Sequence, residues 1–146
     1  MNDQIRIQMM DHFTIYINEQ KADYLVNKTR KGVALMEYLI LHQGQPTPNY
    51  RLLVTLWSED KSANPENALK TLVSRLRALL NQISPGLGKC IVADRGAYHW
   101  ETLPGMTVDV FEIEQIFDEL AEKKDDPEAK KALYSRLIRL YVGDLL

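Results

Sequence analysis

The chemistry most readily found in this sequence lies in Asn67, Lys70, Thr71, Ser74 and Arg75. In a helix, which turns about 100° per residue, these side chains share one side. Their amide, hydroxyl, ammonium and guanidinium groups suit hydrogen bonds to phosphate oxygens and to base edges. From Ala68 to Ile83 the segment carries no carboxylate that would repel a polyanion. A solvated surface helix has the same pattern, so the neighbouring elements must decide between the two.

Other reaction centres find little support. His12, His42 and His99 have no metal-binding partner three or four residues away. No Gly-x-x-x-x-Gly-Lys, Gly-x-Gly-x-x-Gly or Gly-x-Ser-x-Gly loop is present. The acidic residues between 109 and 128 read as solvated helix faces or caps. Cys90, the single cysteine, can form no internal disulfide and reads as a small core residue. The sequence therefore argues against an enzyme, and it implies no metal and no cofactor.

Hydrophobic content of 45% and charged content of 26% over 146 residues describe an ordinary globular chain of one domain, or one plus part of another. No apolar run is long enough to span a bilayer, and no basic flank followed by an apolar run opens the chain. A cytoplasmic protein without a membrane partner is the expectation. The net charge of -2 is unevenly spread. Residues 1–104 hold twelve Lys/Arg and ten Asp/Glu, whereas residues 105–146 hold six and ten. This asymmetry suggests two functional parts.

The elements that must position the polar face follow from periodicity. Residues 5–9 and 13–17 alternate apolar and polar, as strands with one buried face do. A third strand near 21–26 completes an antiparallel meander that packs against helices. Asn27-Lys28-Thr29 is polar and can cap a nearly all-apolar helix over 33–41, which Gly44 ends. Thr47-Pro48 reads as a cap-plus-proline start for a short helix bearing Leu52, Leu53, Leu56 and Trp57. Residues 58–63 are a polar loop.

Asn64 and Pro65 then start the longer helix, whose Leu69, Leu72, Val73, Leu76, Leu80 and Ile83 form an apolar stripe. Two short helices and a longer one follow the order of a helix-turn-helix. After the break at 84–88, residues 89–101 read as a β-hairpin wing with Arg95 and Gly96 at its tip. Leu103-Pro104-Gly105-Met106 is the boundary. Beyond it, Asp109 and Glu112 have capping-box spacing before a helix carrying Val110, Ile113, Ile116, Phe117 and Leu120. Asp126 and Pro127 start a second helix, with Gly143 as its C-cap.

Several stretches carry a family resemblance. Arg30-Lys31 followed by the apolar helix and His42-x-Gly44 resembles the first helix of SARP-type activators, relatives of the OmpR/PhoB-type winged-helix regulators. Leu52-Leu53 with Leu56-Trp57 is similar to the second helix. Val73-Ser74-Arg75-Leu76-Arg77-x-x-Leu80 resembles the recognition-helix core. Asp94-Arg95-Gly96-Ala97-Tyr98 resembles the wing motif Arg-Gly-x-Gly-Tyr, shortened by one residue and without its second glycine. Val108-Asp109-Val110-Phe111 and Leu140-Tyr141-x-Gly143-Asp144-Leu145-Leu146 resemble the bacterial transcriptional activator domain of the same family.

The resemblance implies an α+β, mainly α fold: a winged helix-turn-helix with an N-terminal antiparallel meander and a C-terminal wing, then a helical hairpin. Residues 1–104 would be the DNA-binding domain, and residues 105–146 the opening of the activator domain. The function implied is a sequence-specific transcriptional regulator, an activator, with residues 64–82 in a major groove and 89–101 on the backbone or minor groove of double-stranded DNA. Expected DNA contacts are Asn67, Lys70, Thr71, Ser74, Arg75, Arg77, Arg95, Lys31 and Arg51, with Lys28 and Arg30 as further phosphate ligands. Arg75 would read a base, and Arg77 would hold phosphate. RNA polymerase at loop 58–63 and a homodimer on DNA are the remaining partners implied. The alternative is a winged-helix protein-interaction module that does not bind DNA.

Overall fold

A computed structural model describes residues 3–10, 12–22, 28–57 and 64–145. The first compact unit runs over Lys21–Pro104, and the second joins the N-terminal strands up to Gln20 with the chain from Gly105 onward. The architecture is α+β with a winged helix-turn-helix, as the sequence implies.

In the first unit, helix α1 (Arg30–Leu41) is followed by strand β4 (Thr47–Pro48), helix α2 (Asn49–Leu56) and helix α3 (Pro65–Ile83). A 3-10 turn (Leu87–Cys90) leads into strands β5 (Ile91–Asp94) and β6 (Ala97–Trp100). Thr29 caps α1 by accepting a hydrogen bond from the Gly32 N–H at 3.0 Å. Asn64 does the same for α3, taking the Asn67 N–H at 3.1 Å, with Pro65 in the first turn. The apolar stripe of α3 turns inward: Leu69, Val73, Leu76 and Leu80 are buried, as are Leu35, Met36, Leu39 and Ile40 of α1 and Leu52 of α2.

The order β4-β6-β5 makes an antiparallel sheet, with Ile91 opposite Trp100 and Asp94 opposite Ala97. Thr47-Pro48 does not cap α2. It pairs with Tyr98 and Ala97, and α2 begins at Asn49 without a side-chain cap. A proline at the end of a strand and one at a helix start look alike in sequence, and here the edge of β6 recruits the dipeptide. The wing strands also start later than residue 89, because Leu87–Cys90 is wound into the 3-10 turn.

In the second unit, β1 (Ile5–Gln8) pairs antiparallel with β2 (Thr14–Ile17) and parallel with β7 (Met106–Val108). The sheet order is β3-β2-β1-β7, with β3 at Gln20–Lys21. The expected third strand is thus reduced to these residues where described, and positions 23–27 lie outside the described residues. Helices α4 (Asp109–Glu122) and α5 (Pro127–Leu145) form the expected helical hairpin. Ile5, Ile7, Ile15, Met106, Val108, Ile116 and Leu133 are buried here.

The boundary expected at 104–105 groups β1 and β2 with the winged helix. The ladder from β1 to β7 gathers them with residues 105 onward instead. Asp109 is no N-cap either: Val108 is the capping residue and Asp109 the first residue of α4. Its buried carboxylate accepts the N–H groups of Met9 (2.9 and 3.0 Å), Met10 (3.0 Å) and Val110 (2.7 Å). It therefore ties the end of β1 to the positive end of α4. Gly143 does not stop α5, which continues to Leu145. Glycine permits a C-cap without imposing one, and inside a helix it costs only about 1 kcal/mol relative to alanine.

Candidate nucleic-acid interface

The apolar stripe fixes the roll of α3, and its other side is left to solvent. Asn67, Lys70, Thr71, Ser74 and Arg75 are all exposed, and so is Ala78 between them. Only small side chains interrupt the hydrogen-bonding groups, which lets the helix approach a flat or grooved surface closely. Arg75 sits toward the flank near α1. With Thr71, Lys28, Thr29 and Trp57 it lines a half-open cleft of about 530 Å³. Lys28 and Arg75, far apart in sequence, therefore share one edge of the face.

Arg77 goes the other way. Its Nε and Nη2 donate to the carbonyl oxygen of Ile91 at 3.1 and 2.7 Å, clasping α3 to the first wing strand. From its sequence position Arg77 is expected to hold phosphate. The structure gives its guanidinium an internal acceptor, because Arg77 lies about 100° round the helix from buried Leu76, on the side facing β5. A second clasp was not foreseen: the Asn81 side-chain oxygen accepts the Gly88 N–H at 2.8 Å. Gly88 must be small there, since a Cβ would lie 2.9 Å from the Arg77 carbonyl oxygen and 3.0 Å from Asn81 Oδ1.

The wing tip places Arg95 in solvent. Gly96 beside it takes φ of 72°, the left-handed region that glycine enters at no steric cost. The turn is braced twice. The Gly96 carbonyl oxygen accepts the Asn49 N–H at 2.9 Å, and across the hairpin His99 Nδ1 lies 2.6 Å from Asp94 Oδ2. Neither brace has a local sequence signal, because each partner is supplied by the sheet register or by another element.

The remaining expected contacts divide. Arg51 is exposed on α2, and Lys28 and Arg30 are exposed at the start of α1. Lys31 is half-buried, with its ammonium 4.7 Å above the Trp57 ring, a cation–π contact that already occupies the charge. The polar loop at 58–63 lies outside the described residues.

Residues 22–97 match the model of the family described as "Transcriptional regulatory protein, C terminal". The chain belongs to this family. The matched stretch runs through α1, α2 and α3 to the turn of the wing, so the exposed face of α3 and Arg95 fall within it. The chain is thus a transcriptional-regulator chain with the OmpR/PhoB-type winged helix. Its fold is similar to that of Mycobacterium tuberculosis EmbR, solved in complex with a low-affinity phosphopeptide, with a TM-score of 0.74 at 18% identity. The similarity covers 95% of this chain and 36% of the EmbR chain, so this chain spans little more than a third of that protein's length. No curated protein matches it in sequence.

Proposed function

We propose that the winged helix binds double-stranded DNA with sequence preference and that the protein acts as a transcriptional activator. The observation that carries this reading is the exposed side of α3, which presents Asn67, Lys70, Thr71, Ser74 and Arg75 with no acid beyond Glu66. A helix of this kind lies in a major groove, with phosphate contacts setting its register and base contacts its preference. Arg75 pairs bidentately with a guanine edge, since its planar fork matches the two acceptors there. The smaller side chains reach bases or phosphates close to the helix. Arg95 meets phosphate or the minor groove through the wing. Lys28, Arg30 and Arg51 add phosphate contacts. Lys31 contributes charge from its seat on Trp57, and Arg77 holds the wing against α3.

On the family resemblance, residues 105–146 open a bacterial transcriptional activator domain, loop 58–63 meets RNA polymerase, and two copies occupy adjacent half-sites on DNA. Selection of bound sequences from random duplexes tests the core of this reading. A consensus with direct repeats fits tandem binding, and a palindrome replaces it with a two-fold dimer. Recovery of no consensus, together with flow-through on a heparin column at low salt, leaves the protein-interaction module as the function instead.

A further inference from the structure

The wing is held along both of its edges. On one edge β6 pairs with β4, and the Gly96 carbonyl oxygen accepts the Asn49 N–H at 2.9 Å. On the other edge the holds come from α3 and fall at the root of the hairpin. Arg77 and Asn81 stand one turn apart on α3, so their side chains leave it on the same side. Asn81 Oδ1 accepts the Gly88 N–H at 2.8 Å, and Arg77 donates to the Ile91 carbonyl oxygen at 3.1 and 2.7 Å. Gly88 and Ile91 are both buried.

The two edges do different work. Pairing along β6 acts as a hinge line, about which a hairpin can still roll. Holds on the opposite edge remove that roll. The Arg77 guanidinium ends a long, flexible stem and leaves slack, whereas the short Asn81 side chain sets how far Gly88 stands from α3. Gly88 takes part by having no side chain, since a Cβ there would lie 2.9 Å from the Arg77 carbonyl oxygen. Asn81 is also in line with the reading face. Ser74, Ala78 and Asn81 follow one another at i, i+4 and i+7, and all three are exposed. The reading row of α3 thus runs straight to the root of the wing, and Arg95 stands at the other end of that hairpin.

We infer that Asn81 is a positioning residue for DNA binding: by seating Gly88 against α3 it presets where Arg95 stands relative to Arg75. The inference rests on the roles proposed above for α3 and the wing. The gain is entropic, because a contact made by a hairpin already in place avoids the cost of ordering it on binding. Among these holds, Asn81 is the one whose removal is informative. Asn49 supplies a backbone N–H, which a side-chain substitution leaves in place, and Arg77 carries a charge that itself acts on a polyanion. Asn81 is neutral and exposed, so replacing it loosens the root of the wing and changes little else.

Two measurements on the intact chain test it. Without DNA, spin labels on Lys70→Cys and Arg95→Cys report the distance from α3 to the wing tip, while buried Cys90 stays unlabelled in the folded protein. The distance distribution should be single and narrow. It should broaden with Asn81→Ala and with Gly88→Ala, and narrow again with Asn81→Asp, whose carboxylate keeps the acceptor. On the selected duplex, Asn81→Ala should weaken binding about two- to tenfold, and should weaken it no further when Arg95→Ala is already present. An unchanged distribution overturns the inference, as does an affinity that Asn81→Ala leaves unchanged. A loss that persists in full without Arg95 overturns it too, since Asn81 then acts on DNA directly. A distribution that broadens in a protein whose wild type binds no duplex sinks the DNA reading itself, and the role of Asn81 in binding with it.

Discussion

Arg77 gives two hydrogen bonds to the Ile91 carbonyl oxygen, while Arg75, two positions earlier, ends in solvent. Truncating them should therefore have different consequences. Arg77→Ala leaves the carbonyl without its charged donor and should lower stability by about 1–3 kcal/mol in a denaturant titration. Any loss of DNA affinity should be equal on all sequences. Among the described residues Arg95 at the wing tip makes no comparable internal bond, and Arg95→Ala should leave stability unchanged. As a phosphate ligand it should instead reduce the slope of log affinity against log salt by roughly one unit, and an unchanged slope removes the wing from the interface.

Cys90 is fully buried, and burial pushes its thiol up to about 12. Folded protein should thus resist thiol reagents at neutral pH and react only on unfolding. The unfolded chain ionises its thiol first. This contribution to stability is therefore intact below about pH 9 and declines as pH rises towards about 12. Denaturant midpoints of wild type and Cys90→Ala across that window should converge.

At the scale of elements, Asp109 shows how a short motif can serve a distant purpose. Asp109→Ala should cost about 3 kcal/mol in thermal or denaturant unfolding, since the Met9 and Met10 N–H groups lose their acceptor. A loss under about 0.5 kcal/mol, the range of an ordinary surface substitution, would show that water replaces the carboxylate. The stripe of α3 and the cap at Asn64 were legible in the sequence because each depends on residues within a few positions, whereas Phe117, counted in the apolar stripe of α4, and Leu41, at the end of the all-apolar α1, are exposed. The purposes of Asp109 and Arg77 were not legible. Their partners lie 100 and 14 positions away, and proximity arises only once the sheet and the wing have formed. Thr47-Pro48 was misread for a related reason: local pattern allows both a cap and a strand, and β6 decides. In the candidate site, the solvent side of α3 could be read from helical periodicity, whereas the seat of Lys31 on Trp57 required α1 and α2 to pack first.

At the scale of the molecule, two units with separate cores fit a division of labour, one presenting α3 and the wing, the other the charged hairpin. No helix among the described residues is long and apolar enough to cross a membrane. The account rests most heavily on α3 as a reading helix with Arg75 as its reader. Binding of wild type and Arg75→Ala should be compared at one salt concentration, on the selected duplex and on a scrambled duplex of the same composition. The account predicts a loss of about 1–3 kcal/mol on the selected duplex and little change on the scrambled one. Equal losses on both, or none on either, would contradict it.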